Sequence, residues 1–273
     1  MLFRFLGTGT SSGIPAIGCE CAVCRSTDPR DTRTRCSATI EFTDATGQPR
    51  VVLIDASPDL RQQALAARIT RADAILITHD HVDHVFGLDE VRRFNVLMDS
   101  AIELYADAFT HESLRRVFPY ILDRGDHPPE SFVATLIPRH ITALTPFDLF
   151  GLTVTPIPLM HGRRHILGFR FDAPLGASAD LLPLAYCTDA SAIPDESWPA
   201  LAGVRTLVLD ALRHRPHPTH LTVAQAIEVS GRVGADRTFL IHMTHDLGHA
   251  VTQAVLPGGV VLAHDGLVVA STR

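Results

Sequence analysis

An apolar stretch, Ala74-Ile75-Leu76-Ile77, runs directly into Thr78-His79-Asp80-His81-Val82-Asp83-His84. Neutral imidazole nitrogens and carboxylate oxygens are the common ligands of first-row divalent metals. A chain that leaves a strand and turns at once into a helix can aim His79 and His81 at one ion and Asp83 and His84 at a second. A solvated polar loop accounts for one or two such residues, but not for H-x-H-x-D-H at a strand end. Any fold carrying this run must hold the strand end rigidly beside a cleft and bring further donors to it.

Later apolar strands supply those donors. Leu152–Leu159 leads to His161, Leu184–Cys187 to Asp189, Thr206–Leu209 to Asp210, and Thr238–Ile241 to His242. Singly, each is an ordinary turn, cap or hydrogen-bonded residue; together with the opening motif they suit one constellation. A second cluster, Cys19-x-Cys21-x-x-Cys24, places three thiols in six positions. Disulfides would spread their cysteines to close loops, whereas three converging thiolates need a fourth ligand, most often histidine, to complete a tetrahedral zinc site. Cys36 and Cys187 read as small buried hydrophobes.

The 273 residues suffice for one well-cored domain, and 46% apolar with 20% charged residues excludes wholesale disorder. A net charge of −6 argues against extended nucleic acid as a partner. No apolar run reaches the roughly 18 residues of a membrane span. No secretory leader is visible either, so the expected compartment is cytoplasmic. Oligomeric state is not legible, and a homodimer is compatible with the sequence.

Leu2–Leu6 reads as a strand ending in Gly7-Thr8-Gly9-Thr10-Ser11-Ser12-Gly13. The dinucleotide reading of those glycines fails, because Ile14-Pro15 and the cysteines follow where a helix is required. A hairpin is expected over Ser37–Phe42 and Arg50–Ile54, then a helix from Pro58 to Ala67 capped by Ser57. Helices are expected over Val85–Phe94, Phe109–Val117 and, from the capping box at Thr222, to Val233. Strands are expected at Ile102–Tyr105, Phe132–Ile137, Leu152–Pro158, Leu167–Phe171, Leu184–Cys187, Thr206–Leu209, Thr238–Ile241, Val260–Leu262 and Leu267–Val269. Gly125–Glu130 reads as a loop and Asp265 as a turn residue before Gly266. Two strand-rich halves with helices between them give an α/β sheet sandwich covered by helices on its outer faces.

In order along the chain, His79-x-His81-x-Asp83-His84, His161, Asp189 and His242 resemble the signature of the metallo-β-lactamase superfamily. That resemblance implies a four-layer αβ/βα sandwich over residues 1–273, built as a single metal-dependent hydrolase domain. Phe5-Leu6-Gly7-Thr8-Gly9-Thr10, the cysteine cluster and Ile241-His242-Met243-Thr244-His245 are similar to the phosphoribosyl cyclic-phosphate phosphodiesterases of phosphonate breakdown. By this resemblance His79, His81 and His161 take one metal, Asp83, His84 and His242 the other, and Asp189 bridges them. His245 completes a structural zinc knuckle with Cys19, Cys21 and Cys24. Since His242 and His245 share one short segment, Cys21→Ser is expected to lose a tightly held zinc and weaken the catalytic site.

The cofactors implied are two divalent ions, manganese or zinc, and one structural zinc. A metal pair holds a hydroxide for in-line attack on phosphorus. His220 is the candidate proton donor to the departing oxygen, and Asp83 takes part in catalysis as well as in metal binding. Arg163 and Arg164 are candidates for gripping a phosphate oxygen, while His217 reads as a surface or substrate-pocket residue. Asp55 and Asp210 are candidates for orienting the ligand histidines. The expected substrate is a small phosphate ester: a phosphodiester or cyclic phosphate of a ribose or nucleotide. Asp210–His217 is not a close copy of the phosphonate enzymes' segment, so chemistry carries over better than substrate. Three rivals are a ribonuclease Z-like tRNA-processing nuclease, a glyoxalase II-like thioester hydrolase and a non-catalytic metal-dependent binding protein. The first would need an arm for tRNA, the second has no use for the cysteines or His220, and the third would have lost ligands.

Overall fold

Central strands such as Ala74–Leu76 and Leu184–Cys187 are apolar at successive positions rather than at alternate ones, the mark of sheets buried on both faces. A computed structural model describes residues 1–123, 132–173 and 180–271 and arranges those strands in two seven-stranded sheets. The expected loop over Gly125–Glu130 lies outside the described residues. The first sheet contains β1 (Leu2–Gly7), β2 (Ser37–Thr43), β3 (Pro49–Ile54), β4 (Ala74–Leu76), β5 (Ile102–Ala106) and β6 (Leu136–His140). The second contains β7 (Phe147–Leu149), β8 (Leu152–His161), β9 (Arg164–Asp172), β10 (Leu184–Cys187), β11 (Thr206–Asp210), β12 (Arg237–Ile241) and β13 (Val260–Leu262). The last strand, β14 (Val268–Ala270), returns to pair with β1.

Alternate side chains serve different layers. Phe3, Ile40, Val52, Ile54, Leu76, Phe169, Tyr186 and Val208 pack between the sheets in one core. Leu53, Ile75 and Leu104 face the opposite way, toward α1 (Leu60–Ala67), α2 (Val82–Val85), α3 (Arg92–Met98), α4 (Ala108–Val117) and α5 (Pro119–Leu122). On the other flank Ala185, Leu207, Leu209 and Leu240 meet α6 (Trp198–Leu201) and α7 (Val223–Val233). A short α8 (His249–Gln253) follows β12. The order helix, sheet, sheet, helix is the expected four-layer αβ/βα sandwich. Among the described residues no helix is long and apolar enough to cross a membrane.

Several local expectations are corrected. The helix expected over Val85–Phe94 is interrupted at Gly87, whose amide donates to the Ala56 carbonyl at 2.8 Å instead of to a helical partner; a Cβ there would lie 2.0 Å from the Ser57 carbonyl oxygen, which is why glycine stands at this point. The helix expected from Pro58 begins at Leu60, with Ser57 Oγ accepting from the Asp59 amide instead. β8 extends three residues further than expected, to His161, because its pairing with β9 continues to the His161–Arg164 register. β6 starts at Leu136, later than the strand expected from Phe132. Asp265 does more than turn the chain: its two oxygens accept hydrogen bonds from the amides and hydroxyls of both Thr8 and Thr34. Those bonds pin the glycine-rich turn, where a Cβ on Gly7 would lie 2.0 Å from the Arg35 carbonyl oxygen.

The fold matters for function because β3, β4, β10, β11 and β12 all run into the same edge of the sandwich. β3 and β4 are parallel in one sheet, β10 to β12 in the other. The Leu167 amide donates to the Thr78 carbonyl at 3.0 Å and joins the two sheets at that edge.

Candidate metal centre

Each ligand candidate sits at the end of a strand. His79 and His81 follow β4, and Asp83 and His84 occupy the first turns of α2. His161 closes β8, Asp189 follows β10, and His242 follows β12. One ligand atom from each of His79, His81 and His161 falls within 4.8 Å of the others, and the same holds for Asp83, His84, Asp189 and His242. Asp189 also falls in a group with His161 and His220, so it faces both sets. All but the half-exposed His81 are buried.

Hydrogen bonds on the outer ring nitrogens fix the tautomers. His84 Nδ1 donates to Asp55 Oδ2 at 2.6 Å, and Asp55 also accepts from the amide and hydroxyl of Thr78. Because the Thr78 hydroxyl proton is used by Asp55, the Thr78 oxygen accepts from His79 Nδ1 at 3.0 Å. His161 Nδ1 donates to the carbonyls of Asp189 and Thr219, both at 2.8 Å. The inner nitrogens are left open: Nε2 of His79, His84 and His242 is buried without a hydrogen-bond partner. His84 Nε2 and His242 Nε2 each lie 3.1 Å from an Asp189 oxygen, close enough to share an ion but not aligned as donors. Buried nitrogens with unused lone pairs, aimed inward and backed by acceptors, are what a divalent cation requires. Burial opposes the charged forms of Asp83 and Asp189, yet the imidazoles of His84 and His242 hold both carboxyls below the usual carboxylate range.

His220 stands beside this centre, within 4.8 Å of donors on His161 and Asp189, and its ring stacks on His242 at 4.6 Å. Its Nδ1 faces Asp210 Oδ1 at 3.1 Å, and Asp210 Oδ2 accepts from the Leu221 amide. Asp210 Oδ1 also lies 3.4 Å from His242 Nδ1, a charge contact without hydrogen-bond alignment, so both ring nitrogens of His242 are left open. Burial, reinforced by the neighbouring His242, lowers His220 to about 4.

The cysteine cluster closes on His245. Its Nδ1 lies 3.1, 3.6 and 3.4 Å from the sulfurs of Cys19, Cys21 and Cys24. Sulfur and imidazole ligands of one tetrahedral zinc stand about 3.5 Å apart; the Cys21 and Cys24 separations match that value and the Cys19 separation is shorter. The Cys24 amide lowers the Cys21 thiol to about 7, whereas burial raises Cys24 to about 11.

Three further expected site residues stand outside the ligand groups. Arg163 is exposed at the turn between β8 and β9. Arg164 is committed to Asp80, between the two leading histidines, and stacks on Phe109. His217 is half-buried with Nδ1 facing the Thr219 hydroxyl at 3.1 Å and its ring 5.2 Å from His220. Thr78 and the Thr219 carbonyl were not singled out from sequence as supports of the ligand rings. No residue-type signal marks them, since their roles come from contacts between distant segments.

The family described as Beta-lactamase superfamily domain matches residues 50–243. A crystal structure of a diphosphatase from the PhnP family superposes with a TM-score of 0.85 and 39% identity, covering 98% of this chain and 96% of that one. Zinc-bound PqqB from Methylobacterium extorquens shares the fold at a TM-score of 0.78 and 20% identity, with 98% and 99% covered. A protein named octanoyltransferase from Porphyromonas gingivalis is 38% identical over 264 residues, which is 96% of this chain and 50% of that protein. The chain thus spans about half the length of that curated relative.

Proposed function

Because this chain belongs to the β-lactamase superfamily of metal-dependent hydrolases, we propose that it cleaves a small phosphodiester or cyclic phosphate of a ribose or nucleotide. The observation that carries this reading is His220, a histidine outside the ligand set, backed by Asp210 and facing His161 and Asp189. A phosphate ester needs a proton carrier for its departing oxygen, and thioester cleavage has far less need of one, because a thiolate leaves unaided.

His79, His81 and His161 would hold one cation, and Asp83, His84 and His242 a second, with Asp189 shared between them. When bound, the zinc or manganese pair supplies an activated water and neutralises charge growing on the phosphoryl oxygens. The protein's own groups supply the rest. Asp55 keeps the His84 ring aligned, and Asp210 does the same for His220. His220 Nε2 carries the proton to the leaving oxygen. Burial leaves that ring neutral, whereas the nearby Asp189 and Asp83 carboxylates and a bound phosphate anion favour its cation. Exposed Arg163 is the side chain available to an outer phosphate oxygen. Cys19, Cys21, Cys24 and His245 would hold a structural zinc that braces the segment presenting His242.

Turnover of a ribonucleoside 2′,3′-cyclic phosphate, whose departing sugar oxygen needs a proton, by manganese- or zinc-loaded protein tests the reading. His220→Ala should lower kcat by about 10²–10⁴-fold while the bound metal per chain stays unchanged. A protein that opens thioesters but not diesters, or a His220→Ala variant with full activity, would overturn it.

A further inference from the structure

Phe109 is 57% exposed at the start of α4, while the two residues that follow it, Thr110 and His111, are buried. Single exposed apolar side chains are ordinary on a protein surface; this one is singled out by what holds it. The Arg164 guanidinium carbon stands 4.5 Å from the Phe109 ring centroid. That guanidinium is paired in turn with Asp80, the residue between His79 and His81. The ring is therefore tied to the metal-ligating run through a cation whose charge is already balanced. Asp107, Phe109, Arg163, Arg164 and His165 line an open cleft of about 650 Å³. That is within the size range of small-molecule sites.

Resting on the phosphate-ester reading above, the geometry points to a stacking subsite in this cleft for a planar heterocycle, in the first place a nucleobase. The substrate class is thereby narrowed from ribose phosphates in general to nucleotides. Phe109 and the plane of Arg164 offer flat, weakly hydrated surfaces that accept any base face. Arg163, exposed and next in the chain to Arg164, lines the same cleft, and Gly162 joins it to His161 along the chain. A base stacked here places its phosphate toward Arg163 and the ligand cluster. Since Asp80 satisfies Arg164, the platform recognises flatness rather than charge.

Titration calorimetry of the manganese-loaded protein with adenosine monophosphate and ribose 5-phosphate reads the subsite directly. The wild type should bind the nucleotide about tenfold or more tightly than the sugar phosphate. Phe109→Ala should remove most of that ratio by weakening the nucleotide alone, and Phe109→Trp should retain it. A ratio near one in the wild type, or a ratio unchanged in Phe109→Ala, overturns the subsite. Diester turnover separates the two readings. Turnover without nucleotide preference defeats the stacking subsite only; preference lost on Phe109→Ala without turnover supports the subsite and defeats the hydrolytic assignment.

Discussion

Asp55, Asp189 and His242 leave their strands with φ of 58°, 56° and 59°, a left-handed backbone that side chains other than glycine seldom adopt. Each such residue costs about 1–3 kcal/mol and persists where the surroundings hold it in place. Here the kink turns a ligand or its supporting carboxylate out of the sheet and into the cleft. Asp55 is the clearest case, with three donors on its carboxylate and one of them a ligand ring. Asn tolerates the same backbone and volume but is a weaker acceptor for the His84 ring. Asp55→Asn should therefore weaken binding of a catalytic metal about 10–100-fold, while zinc at the cysteine cluster is retained. Metal titration of the two proteins checks this; equal affinities would show that Asp55 only supports the fold. The ligands themselves were legible in the sequence because imidazoles and carboxylates at strand ends form a dense pattern. Thr78 and the Thr219 carbonyl were not, because a hydroxyl or a peptide oxygen carries no such signature until the chain has folded.

At the scale of elements, the segment after β12 carries both His242 and His245 and is held from several sides. Met243 exchanges backbone bonds with Thr8 and Thr10, and the Thr244 amide donates to Leu212. Buried Arg33 donates to the carbonyls of Thr244 at 3.0 Å and Leu247 at 2.6 Å, and faces Asp31 at 3.3 Å. Asp31 also accepts from the His249 amide. The cysteine cluster is thus one brace among several, which sets the size of the effect expected from removing it. Cys21→Ser should lose one tightly bound zinc per chain, with activity falling by about tenfold at most, because the other ties keep His242 near its place. Arg33→Met should cost about 3 kcal/mol or more, since it strands two buried carbonyls and a carboxylate, and should speed zinc release from the cysteine cluster. Zinc release to a chromophoric chelator and denaturant melts measure the two effects. An Arg33→Met protein that melts early yet holds zinc normally would confine Arg33 to the core. Arg33 illustrates why some elements were hard to foresee: the two carbonyls it holds lie more than 200 positions away. Gly87 likewise interrupts a helix through its amide's bond to the Ala56 carbonyl, about thirty positions away, and not through its own propensity.

Across the whole molecule the candidate centre draws Asp55, His79, His81, Asp83 and His84 from the first sheet and His161, Asp189, Asp210, His220 and His242 from the second. That division was readable as order along the chain, whereas the pairing of sheets that closes it depends on registers that composition does not encode. Fifteen histidines serve such a fold at a cost in acid. Burial lowers His111 and His249, both outside the ligand cluster, and brings His249 to about 4. A histidine held neutral in the folded chain takes up its proton near pH 6.5 when unfolded but only near 4 when folded. Between those values the unfolded state binds more protons, so stability falls as pH drops from about 6.5 toward 4. Below 4 both states are protonated and the loss from this group is complete. In the presence of chelator, so that metal binding does not contribute, His249→Asn should show a shallower fall in stability than the wild type across that window, by up to one proton's worth of slope. Denaturant midpoints at pH 7, 6, 5 and 4 provide the comparison. Parallel curves for the two proteins would mean that His249 titrates normally and that the acid sensitivity lies with other groups.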